Sequence, residues 1–78
     1  MNVYYTELFE QKVKELPVEI KKVLRAKLDL MIENPRHPSL RVKKIQGQAA
    51  IFEASITMSI RLTWQYSEDG ILLRNIGE

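Results

Sequence analysis

The chain has no cysteine, a single histidine (His37), and only three glycines and three prolines among its 78 residues. Without cysteine there is neither a disulfide framework nor a thiolate metal site. His37 has no second histidine with which to share a metal, and nothing around it has ligand spacing, so it reads as a solvated loop side chain. There is no Gly-rich loop to cradle a nucleotide phosphate and no Ser/His/Asp or Cys/His constellation. No apolar run approaches the ~18 residues of a membrane span, and no signal-peptide pattern is present. These absences lead to the expectation of a cytoplasmic protein with no membrane association, no metal and no cofactor. Repeats, low-complexity segments and linkers are missing as well, so residues 1–78 are read as one domain.

A further scarcity is positional. Between residues 34 and 66 the only acidic side chain is Glu53, against Arg36, Arg41, Lys43, Lys44 and Arg61. Residues 1–33 instead balance six basic with six acidic side chains. The net charge of +2 therefore hides a locally basic middle, which suits an anionic partner. The same charges equally suit a solvated strand edge that resists aggregation.

What is present is a core-forming pattern. The clearest stretch is Gln48 to Tyr66, where apolar and polar residues alternate as in a half-buried β-hairpin. Ala50, Phe52, Ala54 and Ile56 share one face of the first arm, with Ile51, Glu53 and Ser55 opposite. Ile60, Leu62, Trp64 and Tyr66 alternate with Arg61, Thr63 and Gln65 on the second. A three-residue loop at Thr57–Ser59 pairs Ile56 with Ile60, Ala54 with Leu62 and Phe52 with Trp64. It sets Ser55 opposite Arg61 and Glu53 opposite Thr63 on a polar outer face, with Phe52 and Trp64 in the core.

Upstream, Asn2–Tyr5 is a short aromatic strand and Thr6 a helix N-cap. Leu8, Phe9, Val13 and Leu16 form a stripe that ends before Pro17. Pro17 opens a second helix, whose Ile20, Val23, Leu24, Leu28, Met31 and Ile32 repeat at three- and four-residue spacing until Asn34-Pro35. The short connection predicts that the two helices run antiparallel. Residues 34–39 form a rigid loop, and Leu40–Gln46 a strand with Arg41 and Lys43 on one face and Leu40 and Val42 on the other. A two-residue turn at Asp69-Gly70 pairs Tyr66 with Leu73 and Trp64 with Asn75, which sends Leu72, Arg74 and Ile76 to the face of Arg61. The order β-α-α-β-β-β-β predicts an α+β domain, with two N-terminal helices packed on one face of an antiparallel sheet.

The outer face then offers Arg61 and Arg74, with Arg41 and Lys43, and with Arg36, Lys44 and His37 nearby. Arginine grips phosphate oxygens bidentately and stays charged at any working pH. Cleavage of a phosphodiester through an RNA 2′-hydroxyl needs a base, an acid and charge stabilisation at the transition state. Arg61 suits the last of these, and Glu53, the only acid on the face, suits the first. A cross-strand Arg61–Glu53 ion pair, worth roughly 0.2–1 kcal/mol, accounts for the same two residues without any chemistry.

Three stretches, KELPVEIKKVLRAKLDLMIENPRHPSLRVKKIQG, IFEASITMSIRLTWQY and ILLRNIG, together resemble the RelE/ParE superfamily of type II toxin–antitoxin toxins over most of the chain from about Phe9 to Gly77. The resemblance implies a small α+β toxin of the microbial ribonuclease type. RelE-like members cleave mRNA in the ribosomal A site without a metal, whereas ParE-like members poison DNA gyrase. It implies a cognate antitoxin that wraps the toxin and represses the operon with it, in systems tied to plasmid stabilisation. Arg61 matches the arginine that RelE-like toxins set on the scissile phosphate. Arg41, Lys43 and Lys44 fall where the family places charge facing nucleic acid, and Arg36 and Arg74 join them as expected contacts.

Two departures qualify the resemblance. Several ribonuclease members carry lysine or arginine where this chain has Glu53 and Ser55, and the YoeB-like glutamate base comes from elsewhere in the fold, so Glu53 does not inherit that role. The family also continues past the glycine matching Gly77 with a tail bearing His, Arg or Tyr, while this chain stops at Glu78. Proton transfer of that kind is worth about 10²–10⁴ in rate. The expectation is therefore a ribosome-dependent, metal-independent mRNA endoribonuclease that is weak or inactive in this chain. The alternatives are a gyrase inhibitor and a degenerate toxin acting as an antitoxin-binding module.

Overall fold

The computed structural model describes residues 1–47 and 50–78, so Gln48, at the start of the expected hairpin arm, lies outside the described residues with Ala49. The elements run β1 (Asn2–Tyr5), α1 (Glu7–Lys14), α2 (Val18–Glu33), a 3₁₀ turn (Pro38–Leu40), β2 (Lys43–Lys44), β3 (Phe52–Ser55), β4 (Arg61–Ser67) and β5 (Gly70–Gly77). The strands form a single sheet in the order β1-β5-β4-β3-β2. Both helices contribute to one core against it, giving the expected α+β architecture.

The central hairpin adopts the expected register. Phe52 pairs with Trp64, Glu53 with Thr63, Ala54 with Leu62 and Ser55 with Arg61. Ile56 N–H donates to Ile60 O at 2.8 Å, closing the Thr57–Ser59 loop. Ala54, Leu62 and Trp64 are fully buried. The Trp64 indole stacks on Phe52 with centroids 4.9 Å apart, so both rings serve the core. Ala50 falls outside the alternation: it is exposed, with a left-handed φ of 66°. Ile51 is buried.

α1 is capped as its sequence suggests. Thr6 Oγ1 accepts from Phe9 N–H at 3.0 Å, with Glu7 and Glu10 in the positive first turn and Lys12 and Lys14 in the last. The same hydroxyl donates to Arg74 O at 2.7 Å, which ties the helix start to β5. Phe9 is buried, and Val13 and Leu16 pack on the core. From α2 come Leu24 and Met31, flanked by Ile20 and Leu28. Val23 and Ile32, counted in the same stripe, stay exposed at its margins.

Three expectations are corrected. β1 pairs with β5 in parallel, Asn2 beside Gly70 and Tyr5 beside Leu73, so the sheet is mixed. The approach is close at Gly70, where a Cβ would collide with the carbonyl of Asn2. The final turn is Glu68-Asp69, because Ser67 pairs with Gly70, Tyr66 with Ile71 and Trp64 with Leu73. A bulge follows, since Trp64 faces Leu73 while Thr63 faces Asn75, leaving Arg74 as the extra residue. That residue lets both Leu73 and Ile76 point into the core, so Ile76 is 3% exposed and does not join Arg61 on the outer face.

Leu40–Gln46 is also not one strand. The His37 ring accepts from Ser39 N–H at 3.1 Å and caps the 3₁₀ turn, Leu40 is fully buried, and Arg41 takes a left-handed φ of 50°. Only Lys43–Lys44 remains as β2, paired with Glu53 and Phe52. No helix among the described residues is long and apolar enough to cross a membrane.

Candidate nucleic-acid interface

Arg61 begins β4 on the sheet face away from the core. Its Nη1 donates to Thr57 O and to Met58 O, both at 2.8 Å, so the guanidinium closes the β3–β4 loop on itself. Its Nε lies 3.6 Å from Glu53 Oε1. Lys43 Nζ lies 3.6 Å from the same oxygen. At that separation both contacts are ion pairs rather than hydrogen bonds. Glu53 thus sits between two cations with its side chain 24% exposed, while Lys43 reaches into solvent at 72%.

Arg61 lines two cavities. One, of about 230 Å³, lies at the end of the sheet and is framed by Lys27, Ser39, Arg41, Ser55, Thr57 and Arg61. The other, of about 260 Å³, is framed by Arg61 with Lys12, Thr63, Asn75 and the acidic Glu78. Further along the outer face Arg74 donates to Gln65 Oε1 at 2.6 Å. Beside Arg74, Leu8, Ile45 and Ile51 line a third hollow, so the outer face carries an apolar strip as well as charge.

The expected site residues divide into two groups. Arg61, Glu53, Lys43 and Arg41 come together around the β3–β4 loop, and Arg74 lies on the same face beyond the bulge. Arg36 and Lys44 do not join them. The Arg36 guanidinium sits 5.3 Å over the Phe52 ring, and the register sets Lys44 opposite Phe52, on the helix-covered side of the sheet. Lys27 and Lys12 reach the Arg61 cavities without having been singled out from sequence. The signal available was weak: each is one lysine among the balanced charges of a solvated helix, and only the folded approach of the helices to β4 distinguishes them. Among the described residues no group of three His, Asp or Glu side chains comes close enough to hold a metal.

Several solved toxins and toxin–antitoxin complexes share this architecture. At a TM-score of 0.85 the chain is similar to a YoeB/ParE toxin from Agrobacterium tumefaciens, with 12% identity over 99% of this chain and 96% of that one. The toxin of the intact RelBE toxin–antitoxin complex of E. coli matches at 0.77, with 19% identity over 97% of this chain and 93% of that one. The RelB–RelE antitoxin–toxin complex of Methanococcus jannaschii matches at 0.78, with 17% identity over 94% and 86%. No protein-family model matches the sequence, and no curated protein matches it either. The chain shares its fold with these solved toxin structures.

Proposed function

We propose that this chain is the toxin of a type II toxin–antitoxin system and acts in the cytoplasm on mRNA at the ribosome, without a metal or cofactor. The observation that carries the reading is the position of Arg61. A guanidinium on the open sheet face, lining two cavities and with its orientation held by two loop carbonyls, suits a phosphodiester backbone. Held in place before substrate arrives, it would stabilise the charge that builds on a phosphorus centre during cleavage. Lys43, Arg41 and Arg74 would attract the rest of the strand. Glu53, paired with Arg61, would take the proton of a 2′-hydroxyl. Structural neighbours solved as complexes with RelB support a cognate antitoxin as the partner.

One observation favours a second reading. Glu53 occupies the middle of the cationic face and pairs with both Lys43 and Arg61, which cancels part of the charge an RNA would meet. A toxin that blocks DNA gyrase by binding needs no such charge.

Inducible expression in bacteria separates the two. Codon-phased mRNA 5′ ends that Arg61→Ala abolishes, with at most weak growth arrest, are the expected result. Arrest with intact mRNA and inhibited gyrase would overturn the ribonuclease reading.

A further inference from the structure

We propose that the cavity framed by Lys27, Arg41 and Arg61 is a second phosphate subsite, which holds a backbone phosphate next to the one Arg61 meets on its Thr63–Asn75 side. The inference rests on the polynucleotide reading above and adds to it a binding role for Lys27 on α2.

Three features carry it. The first is charge. Three cations reach this cavity from three separate segments, namely α2, the residue after the 3₁₀ turn, and β4, and no carboxylate lines it. Like charges brought together from distant points of the chain repel one another, and an anion bound among them relieves that repulsion.

The second feature is the donor set. Thr57 Oγ1 accepts from Ser59 N–H at 3.3 Å and from Ile60 N–H at 3.0 Å, which leaves its own proton to donate. Ser39 and Ser55 add hydroxyls on the same lining. Charged forks and hydroxyl donors suit phosphate oxygens, which accept several short hydrogen bonds at once.

The third is that the site is built in advance. Lys27 Nζ donates to Ser39 O at 3.3 Å, and Arg41 N–H donates to Pro38 O at 3.1 Å while its backbone takes the left-handed turn. Leu40, fully buried between them in sequence, anchors the segment. A volume of about 230 Å³ compares with roughly 30 Å³ for one water in the liquid, so a phosphate group has room. Arg61 borders both this cavity and the one that holds Lys12 and Glu78, so a polyanion with repeating charges would reach both lysines, whereas a single acidic side chain would reach one.

The test uses the intact chain and a single-stranded oligodeoxyribonucleotide, which lacks the 2′-hydroxyl and so reports binding apart from cleavage. Lys27→Gln and Arg41→Asn each remove a cation. Asparagine tolerates the left-handed backbone at position 41. Each variant is expected to make the slope of log affinity against log salt shallower by about 0.7, with Lys21→Gln on α2 as an unchanged control and circular dichroism confirming the fold. Titration with inorganic phosphate is expected to shift the Ser39, Arg41 and Thr57 amides. Unchanged slopes in both variants, or shifts confined to Thr63 and Asn75, would overturn the subsite and leave the cleavage reading standing on its mRNA ends. An acidic peptide that shifts these amides where phosphate does not would overturn it in favour of a protein ligand. Failure of the oligonucleotide to bind at low salt overturns it too.

Discussion

Glu53 and Arg61 meet diagonally across the β3–β4 hairpin, Oε1 to Nε at 3.6 Å, while Lys43 holds the same oxygen from β2. The carboxylate therefore has two possible jobs, proton acceptor or counter-ion, and Glu53→Gln separates them. Loss of a partly exposed pair should cost within about 1 kcal/mol of stability by chemical denaturation. As a counter-ion alone, Glu53 screens Lys43 and Arg61, so the variant should bind single-stranded nucleic acid more tightly and with a steeper salt dependence. As a base it would also lose cleavage, by about 10²-fold or more. Salt titrations and mapped mRNA ends on the same variant give both answers.

Arg61→Lys keeps the charge and loses the fork. The guanidinium reaches Thr57 O and Met58 O from one nitrogen and Glu53 from another, a geometry that one ammonium cannot reproduce. The expected result is a loss of about 1 kcal/mol, because the loop carbonyls are partly exposed. Amide exchange at Ser59 and Ile60 should quicken with it. Toxicity should fall nearly as far as in Arg61→Ala, although the net charge is unchanged. Toxicity retained in the lysine variant would mean that charge alone suffices at this position.

The parts of this fold that could be read from the residues are those set by local periodicity. The hairpin register follows from alternation, because a one-residue slip would send Leu62 and Trp64 to solvent and Arg61 into the core. α2 follows from its apolar stripe. What failed depended on contacts between residues far apart in the chain. Asp69-Gly70 has the composition of a two-residue turn, but Asn2 N–H donates to Asp69 O at 3.1 Å and Gly70 lies against Asn2, so the turn moves back by one residue. The Arg74 bulge carries no composition signal. Charge alone sets Arg36 and Lys44 near Arg61, and charge does not say which side of a sheet a residue faces. Lys27 needed α2 docked over the 3₁₀ turn before it could be seen beside Arg61.

Thr6 joins two elements with one hydroxyl, accepting from Phe9 N–H and donating to the carbonyl of the bulged Arg74. Thr6→Ala removes both bonds, and Thr6→Ser keeps them. Loss of an N-cap typically costs about 1 kcal/mol, and the orphaned bulge carbonyl should bring the alanine variant to roughly 1–2 kcal/mol. Serine should stay within about 0.5 kcal/mol of the parent. Urea denaturation of the three proteins checks the ordering. Equal midpoints for alanine and serine would mean that packing of α1, rather than the cap, fixes the bulge.

The last prediction concerns pH. Asp69 accepts from Asn2 Nδ2 at 2.7 Å and from the Tyr4 hydroxyl at 2.9 Å, which clamps β1 to the β4–β5 turn. These bonds, that from Asn2 foremost, hold the Asp69 carboxyl below its ordinary value. The bond to Asp69 in turn raises the Tyr4 phenol above its own. A depressed carboxyl binds its proton more weakly in the folded chain than in the unfolded one, so its contribution is present above the unfolded pKa of about 3.9 and is lost as pH falls through the folded value. For the phenol the sign reverses: its contribution is present below the unfolded pKa of about 10 and is lost as pH rises through the folded one. The cluster should therefore support β1 across the neutral range and release it at both extremes. Amide exchange at Tyr4 and Thr6, whose N–H groups face β5, should accelerate below about pH 4 before the hairpin amides of Ala54 and Leu62 do. In Asp69→Ala the β1 amides should exchange faster already at pH 7 and show no separate acid step. A parent protein whose β1 and hairpin amides lose protection together would show that the Asp69 clamp does not set the stability of that edge.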